Sequence, residues 1–560
     1  NGRRKLFLDV QASEKPGQYK LDTVLYFHRP FGMLVDCFDR MRPDGMQQAV
    51  YRLSLYIDDN LYYEVVFDSI DFETTSSVEL EYDHVEAAND RKHVRTLFKK
   101  AGNVYSGSRA VNGNRGIFGL AGNERFGLHQ ARVTAEDCFG NRSELSFRFL
   151  WGPPGSIYVL DSTTTRPPDS TFFYFSPTVR QKTLGVDSVV AMLNRGDMWG
   201  LPTTARLKRL ADDRLVCEVE AHRIRTAVLR LFVVAQGSCV IPDILFNGLV
   251  EKGKGHIEIE HEVLEDGLLI SIPTRNKYAS DVRVELYCNG ELLGIEPAVC
   301  YHMRQYYCFI PPLEKYSCID RIAVAMSHDT TVKPTKDDSV NIFAVGFRDS
   351  EHVAAGRFLT LNMGKETFYE PRYVEVTEKT LFNRSRLHLN SPYYEILPEA
   401  FVCRKPYRLV LKLPYKNLLN DHSGLCWLDK KEDRWIWLED NEYRNDTLTA
   451  ASLGGGIFAA LLDSEPPRLK YLTIADGRTY QNHRPAVNFV IDDTIAGIGD
   501  DQGIVIEIDG EWQIPEYDPE TGQVLSKPVE PLTSGRHHLG IRVTDRAGNL
   551  AEQYLNFSVK

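Results

Sequence analysis

The sequence has little of what helical, membrane-spanning or disulfide-built proteins require. Its longest apolar stretches, such as Ala227–Ala235, which Arg230 interrupts, and Ile457–Leu462, fall far short of the roughly 18 residues that cross a bilayer. Cysteine is sparse, at 10 of 560 residues, so disulfides are not the main scaffold. Basic residues number 66 against 77 acidic ones, and this net charge of −11 disfavours general binding to nucleic acid. We therefore expect neither a membrane span nor a nucleic-acid partner.

Short runs that alternate apolar and polar residues occur throughout the chain. Three examples are Tyr51–Ile57, Val282–Tyr287 and Ile504–Ile508, and each is followed at once by a turn of Asp, Asn or Gly. Alternation places one apolar face on a strand, and such turns between apolar runs are typical of β-hairpins. The pattern predicts an all-β fold, a tandem array of about five immunoglobulin-like β-sandwich domains of roughly 100 residues each.

Proline and glycine mark the predicted domain boundaries. Paired prolines follow Trp151-Gly152 and Ser464-Glu465, and proline suits connections between sheets because it cannot donate to a strand ladder. The glycine-rich segment at residues 247–255 and the segment Asn362-Met363-Gly364 suggest the inner joints. The predicted domains are 1–152, 153–250, 251–362, 363–463 and 464–560. The absence of methionine at Asn1 favours a processed form or a fragment.

The first and last predicted domains repeat one motif. A glycine is followed at offsets of 2, 10, 13 and 14 by His, Asp, Gly and Asn in both. The two sets are Gly127, His129, Asp137, Gly140, Asn141 and Gly535, His537, Asp545, Gly548, Asn549. The spacing predicts that the two domains share a fold, in which a D-x-x-G-N turn joins the last two strands.

Asp545 has two interpretations. In the first, its carboxylate accepts backbone N–H bonds within the turn and needs no ion. In the second, Asp545 shares a calcium ion with Asp492 and Asp493 between two sandwiches, because carboxylate oxygens are ligands that calcium prefers. The sequence favours the turn and predicts no cofactor.

Three tryptophans, Trp427, Trp435 and Trp437, flank the charged segment Asp429–Asp433. In a hairpin, Trp435 and Trp437 share a face, and we expect Trp427 to sit across from them. Such a face could stack on the sugar rings of a glycan if exposed, or form the core of a sandwich if buried. The surrounding domain loosely resembles a ZU5-like β-sandwich.

The even cysteine count permits disulfides without demanding them. Cys217 could pair with Cys239 in the second domain and Cys403 with Cys426 in the fourth, while free buried thiols are an equally good interpretation.

The stretch Tyr51–Phe149 resembles the non-catalytic region that follows the peptidase domain in some bacterial lysostaphin/LytM-type zinc metallopeptidases. It contains LSLYIDDN, FDSIDF, KKAGN and GLHQARVTAEDCFGNRSEL. The last domain is similar to the C-terminal immunoglobulin-like domain of the same family in IDGEW, PEYD and VTDRAGN. The resemblance implies a periplasmic or extracellular location and a peptidase domain preceding Asn1.

The peptidase site of that family is missing from this sequence. It needs an H-x-x-x-D element and an H-x-H element, because two His and one Asp must meet one zinc ion. None of the 15 His fits either element. We therefore expect a non-enzymatic accessory region that anchors, positions or interacts at the cell envelope. The alternative is a stand-alone adhesin or glycan-binding protein. Its expected partners are envelope polymer or envelope proteins, with self-association as a further possibility.

Overall fold

The structure is a computed structural model. It describes residues 7–151 and 256–560 with internal gaps, and only the backbone of ten strands between residues 152 and 255. The gaps are at 28, 43–44, 73–74, 84–85, 88–92, 112, 126, 276–280, 303–304, 328–335, 355, 380–391, 402 and 413–418. The chain divides into two compact units, residues 1–340 and 341–560, and each is described by itself.

The described residues of the first domain form nine strands and one four-residue α-helix. The strands are β1 Gln11–Ala12, β2 Gln18–Phe27, β3 Leu34–Asp36, β4 Arg52–Ile57, β5 Asn60–Val66, β6 Val94–Thr96, β7 Ser108–Ala110, β8 Gly127–Glu136 and β9 Arg142–Trp151, with helix α1 at Thr75–Val78 and a 3₁₀ turn at Glu79–Glu81. Seven strands form a sheet of order β1-β2-β9-β8-β4-β5-β7, and β3 pairs with β6. The alternation predicted at Tyr51–Ile57 buries Leu53, Leu55 and Ile57 against Phe149.

The second domain is described by its backbone. Its strands are β10 Ser156–Val159, β11 Ser162–Arg166, β12 Ser170–Phe175, β13 Ser188–Arg195, β14 Met198–Trp199, β15 Thr203–Arg209, β16 Leu215–Glu220, β17 Val228–Ala235, β18 Ser238–Val240 and β19 Pro242–Leu245. They follow the order β10-β19-β17-β13-β15-β16-β12-β11, with β14 on β13 and β18 on β17. The predicted pairing of Cys217 with Cys239 lies outside the described side chains.

The third domain has two groups of strands. The strands are β20 His256–Ile257, β21 Glu260–Leu264, β22 Gly267–Arg275, β23 Asp281–Cys288, β24 Glu291–Pro297, β25 Val299–His302, β26 Gln305–Ile310 and β27 Ile319–Ser327, with a 3₁₀ turn at Glu314–Tyr316. One group is β20-β22-β26-β25 with β21 on β22, and the other is β24-β23-β27. A disulfide joins Cys288, at the end of β23, to Cys318 just before β27.

The fourth domain is a sandwich of two sheets. Its strands are β28 Lys336–Val345, β29 Glu351–Ala354, β30 Leu359–Met363, β31 Arg372–Lys379, β32 Tyr393–Leu397, β33 Tyr407–Lys412, β34 Ser423–Asp429, β35 Arg434–Trp437, β36 Glu442–Arg444, β37 Thr447–Ser452 and β38 Gly456–Leu462. From Asn341 onward the sheets run β28-β31-β32-β38-β34-β35 and β29-β30-β33-β37-β36. They enclose a core that includes Leu361, Val374, Leu409 and Phe458.

The boundary predicted between residues 362 and 363 is wrong. Strand β30 pairs with β33, and Ile342–Val345 of β28 pair with Arg372–Glu375 of β31. Leu359 and Leu361 therefore belong to the same core as Val374. The glycine at 364 marks a turn inside this sandwich, where Gly364 N–H donates to Oγ1 of Thr367 at 3.0 Å.

The last domain is a sandwich of nine strands. These are β39 Arg468–Lys470, β40 Thr479–Tyr480, β41 Val487–Asp492, β42 Ile504–Ile508, β43 Glu511–Gln513, β44 Glu516–Asp518, β45 Gln523–Ser526, β46 Gly535–Thr544 and β47 Leu550–Val559, with a 3₁₀ turn at Asp501–Gly503. The sheets are β39-β41-β45-β44 and β40-β47-β46-β42-β43. Their facing side chains, among them Phe489, Ile506, Leu539 and Phe557, form one core. The chain is thus an all-β tandem array of sandwich domains.

The predicted bridge between Cys403 and Cys426 does not form. Both thiols are free, as are those of Cys37, Cys138 and Cys308. Cys426 is fully buried, and burial raises the pKa of its thiol. Both thiols are therefore free as the alternative expected, although only Cys426 is buried and Cys403 is partly exposed. The disulfide of the third domain was not predicted.

Candidate functional site

The D-x-x-G-N turn makes the same hydrogen bonds in the first and last domains. In the last domain, Asn549 donates from its backbone N–H to Oδ1 of Asp545 at 2.8 Å and from Nδ2 to Oδ2 at 2.9 Å. In the first domain, Asn141 donates to Asp137 in the same two ways, at 2.8 and 2.6 Å. The carboxylate of Asp545 therefore accepts the bonds that the turn interpretation requires.

A histidine–aspartate pair is repeated with the turn. Nδ1 of His129 lies 2.6 Å from Oδ2 of Asp58, and Nδ1 of His537 lies 2.6 Å from Oδ2 of Asp509. Burial lowers the pKa of His537, but its hydrogen bonds to Asp509 and to the carbonyl of Thr533 outweigh burial, so that the pKa is raised.

The sheet neighbours of the turn also match. In both domains the turn joins the final two strands, β8 to β9 and β46 to β47, and a parallel strand flanks the last one. The strand that pairs with the first of these two, β4 with β8 and β42 with β46, is followed in each domain by a two-residue hairpin turn. The strand order β2-β9-β8-β4-β5 of the first domain therefore matches the order β40-β47-β46-β42-β43 of the last domain. That the two whole domains share one fold stays a prediction.

Three carboxylates meet where the fourth domain joins the last. Oxygens of Asp463, Asp493 and Asp545 lie within 4.8 Å of one another. Asp463 follows β38, Asp493 follows β41, and Asp545 follows β46. This acidic cluster differs from the predicted calcium set in one member, because Asp492 forms an ion pair with Lys470 instead.

Backbone N–H groups hold two members of the acidic cluster in place. Oδ2 of Asp463 accepts the Ala496 N–H at 3.0 Å. Oδ1 of Asp493 accepts from both Ile495 and Gly497, at 3.1 and 2.7 Å. Sequence reasoning missed Asp463, although it is the last residue before the segment Ser464–Pro467 that marks the boundary. Its hydrogen bond from the Ala496 N–H shows that the side chain reaches the next domain.

Burial dominates the electrostatics of the acidic cluster. It raises the pKa of Asp463, partly offset by backbone hydrogen bonds, and Asp493 and Asp545 add repulsion. Burial also raises the pKa of Asp545, against the opposing hydrogen bonds from Asn549 and with further repulsion from Asp493. Asp463 and Asp545 are 2% and 5% exposed. The cluster offers oxygen ligands of the kind calcium takes, although calcium requires six to eight oxygens.

Replacing Asp493 by asparagine is expected to raise the free energy of unfolding and the melting temperature of residues 341–560, because the repulsion that Asp493 exerts on Asp463 and Asp545 is lost. The amide oxygen can still accept from Ile495 and Gly497, while the charge that repels Asp463 and Asp545 is removed. Thermal unfolding of the full chain, with and without a calcium chelator, measures the effect. We expect chelator to leave the melting temperature of the natural chain unchanged.

The matched control is Asp492→Asn, which removes a charge one residue away that is paired with Lys470 outside the cluster. This control is not expected to stabilise the chain. A fall in melting temperature on adding chelator, reversed by calcium and absent in Asp493→Asn, would establish the calcium interpretation instead.

The acidic cluster is part of a close-packed joint between the fourth and last domains. Nδ1 of His422 lies 2.9 Å from the carbonyl oxygen of Ala547, and Nδ2 of Asn549 donates to the carbonyl oxygen of Asp463 at 3.0 Å. An apolar group from both domains packs beside these bonds. We call it the joint cluster, and its buried members are Cys426, Trp437, Ala459, Leu461, Ala496 and Ala547.

The tryptophans do not form one glycan-stacking face. In the hairpin of β34 and β35, Trp427 pairs with Ile436, while Trp435 pairs with Leu428 and Trp437 with Cys426. Directly paired residues share a side of the sheet, so Trp427 lies on the side opposite Trp435 and Trp437. Trp427 packs on the sandwich core, whereas Trp435 and Trp437 belong to the joint cluster. The expectation that Trp427 sits across from the other two is wrong by one residue of register.

Comparisons with known proteins give no family. No family model matches the chain, and no curated protein matches it. Among solved structures, a bacterial ice-binding adhesin is 9% identical over 72% of this chain and 95% of that one, at a TM-score of 0.14. The Bacteroides ovatus protein SGBP-B, solved with a mixed-linkage heptasaccharide, is 9% identical over 82% and 97%, also at 0.14. A tetra-tandem repeat of a large adhesion protein is 9% identical over 97% and 98%, at 0.13. Scores this low carry no inference about function.

No helix in the described part of the chain is both long enough and apolar enough to cross a membrane.

Proposed function

We propose that the chain is a non-enzymatic binding protein located outside the cytoplasm, in which tandem β-sandwich domains hold binding surfaces against polymer or proteins of a bacterial cell envelope. Its role is adhesion, anchoring or positioning. The resemblance to the accessory region of zinc metallopeptidases adds the prediction that the anchored partner is a peptidase domain.

The joint between the fourth and last domains is the observation that carries this proposal. It combines a buried apolar cluster with hydrogen bonds across the boundary, from His422 to Ala547 and from Asn549 to Asp463. Domains connected by a free linker would share no buried contacts. A fixed joint keeps the exposed surfaces of the last domain at a constant orientation to the fourth, which suits a protein that presents binding surfaces.

The disulfide supports the location. Cys288–Cys318 closes a loop across a sequence separation of 30 residues, and such bridges persist in oxidising compartments. A periplasmic or extracellular site is therefore part of the proposal, as is contact with the polymers found there.

Co-sedimentation of the purified full chain with isolated peptidoglycan sacculi and with insoluble envelope polysaccharides tests the proposal. We expect the chain to pellet with at least one polymer and to release no soluble fragments. We also expect no stoichiometric zinc by elemental analysis, because the sequence has neither zinc element of the peptidase family.

Two outcomes would overturn the proposal. One is failure to sediment with every polymer tested. The other is release of muropeptides together with stoichiometric zinc, which would make the chain an enzyme. The double variant Cys288→Ser, Cys318→Ser is expected to lower the free energy of unfolding by about 2–4 kcal/mol without changing polymer selectivity.

A further inference from the structure

An open cleft of about 480 Å³ lies on the outer face of the sheet β39-β41-β45-β44 in the last domain. This volume falls within the range of roughly 300–1,000 Å³ that small-molecule sites occupy. The cleft is distinct from the acidic cluster and from the tryptophan hairpin. The sequence analysis uses its segment PEYD, residues 515–518, for the family resemblance and assigns it no ligand.

Strand register builds the floor of the cleft in two rows. Asn488 pairs with Leu525, which pairs with Glu516 on its other side. Val490 pairs with Gln523, which pairs in turn with Asp518. Paired residues share a face, so Val490 and Leu525 form a half-buried apolar centre. Four polar side chains surround that centre: Asn488, Glu516, Asp518 and Gln523.

Tyr471 lines the cleft and has an unusual backbone conformation. Its side chain is 81% exposed, and its φ of 58° lies in the left-handed region. That region is unfavourable for a bulky residue, and glycine adopts it freely. Local folding therefore favours glycine at this position and does not explain an exposed aromatic ring there. Strained residues of this kind concentrate at functional sites, and the ring lines the cleft.

The polar groups of the cleft are free to bind a ligand. Within the described residues, the side chains of Asn488, Glu516 and Gln523 have no hydrogen-bond partner in the protein. Asp518 is held by Thr521 Oγ1 at 2.7 Å and by the Glu520 N–H at 3.0 Å. These bonds lower the pKa of Asp518, so that its carboxylate stays ionised and can accept further hydrogen bonds from hydroxyl groups of a ligand.

The charges of the residues that line the cleft limit the class of ligand that it can bind. The cleft carries two carboxylates, Glu516 and Asp518, and its lining residues include no Lys or Arg. Lys470 extends the second row, because it pairs with Val490, but its ammonium group forms an ion pair with Asp492. Acidic lining repels phosphate, sulfate and uronate groups. An aromatic ring beside carboxylates and amides instead suits a ligand with apolar C–H faces and many hydroxyl groups.

We propose that this cleft binds a neutral carbohydrate, with the ring of Tyr471 stacking on one sugar and with Glu516, Asn488 and Gln523 bonding its hydroxyl groups. The inference rests on the proposed function in one respect, since it names a ligand for a surface of the binding array. It places the saccharide-binding site in the last domain and not on the tryptophan hairpin.

Binding of the full chain to an array of neutral oligosaccharides, followed by calorimetric titration with the best one, tests the proposal. The decisive variant is Tyr471→Gly, which removes the ring but relieves the left-handed backbone. We expect at least a tenfold loss of affinity with no fall in melting temperature. Glu516→Gln, which keeps size and removes charge, is expected to weaken binding severalfold.

The matched control is Tyr554→Ala, because Tyr554 is 50% exposed and belongs to the opposite sheet of the same domain. Its affinity should equal that of the natural chain. If Tyr471→Gly and the natural chain bound saccharide equally well, the proposal that the cleft is the binding site would be wrong. Polymer co-sedimentation, and hence the proposed function, would be unaffected. Retention of anionic polysaccharides or basic peptides without any neutral saccharide would overturn the ligand class.

Discussion

Replacing Trp437 by alanine is expected to lower the free energy of unfolding of residues 341–560 by about 3–5 kcal/mol. The indole is 4% exposed and lies in the joint cluster. Gly424 shows how closely it is packed, because a Cβ added there would lie 2.1 Å from Cζ2 of Trp437. Truncation therefore leaves a cavity that these neighbours cannot fill. Denaturant unfolding of the full chain, followed by hydrogen exchange in peptides from β34, β35 and β38, measures the change within this unit.

Trp512→Ala is the matched control. Trp512 is 57% exposed on β43 of the same unit, and exposed positions usually change stability by no more than about 0.5 kcal/mol. Equal effects of the two variants would contradict the buried assignment of Trp437 and would restore the tryptophan hairpin as a candidate glycan surface. Gly424→Ala should reproduce part of the loss, because its Cβ would push against the same indole.

Asp545→Ala is expected to destabilise the last domain by about 2–4 kcal/mol, because its carboxylate is the acceptor for two buried donors. The variant leaves the backbone N–H and the Nδ2 group of Asn549 without their acceptor, at a position where Asn549 is 9% exposed. Each buried donor left unsatisfied costs about 1–3 kcal/mol. The relief of repulsion from Asp493 offsets part of the loss.

Asp137→Ala removes the same two bonds from the exposed copy of the turn in the first domain. Water can replace the acceptor there, so a much smaller change in melting temperature is expected. Differential scanning calorimetry of the two full-length variants makes the comparison. Equal losses would mean that the turn acts through its local geometry alone and that the joint adds nothing.

Much of the local structure follows from neighbouring residues. The alternation at Tyr51–Ile57, Val282–Tyr287 and Ile504–Ile508 predicts strands. Apart from Tyr51, which precedes β4, these residues lie in β4, β23 and β42, and the apolar residues on the inward face of each strand are buried. Their faces are correct because side-chain direction alternates along a strand whatever the rest of the chain does. The repeated spacing in the first and last domains likewise predicts a shared fold.

Pairing between distant strands is not contained in such patterns. Trp427 is placed on the wrong side from sequence because a shift of one residue in the register of β34 with β35 reverses the face. The boundary near residue 362 fails because β30 pairs with β33, which follows it by some forty residues. Asp463 is absent from the predicted carboxylate set because only the contact between two domains brings it to Asp493 and Asp545.

The two D-x-x-G-N turns separate what the sequence determines from what the tertiary structure decides. Aspartate and asparagine four residues apart, with glycine between them, set the same hydrogen bonds in both domains. Exposed to water, Asp137 has its pKa lowered, first by the hydrogen bond from the Asn141 side chain. Buried at the joint, Asp545 has its pKa raised, because loss of solvent outweighs the same bonds. The local spacing determines which groups donate hydrogen bonds to the aspartate, whereas the neighbouring domain determines how much water remains to stabilise its charge.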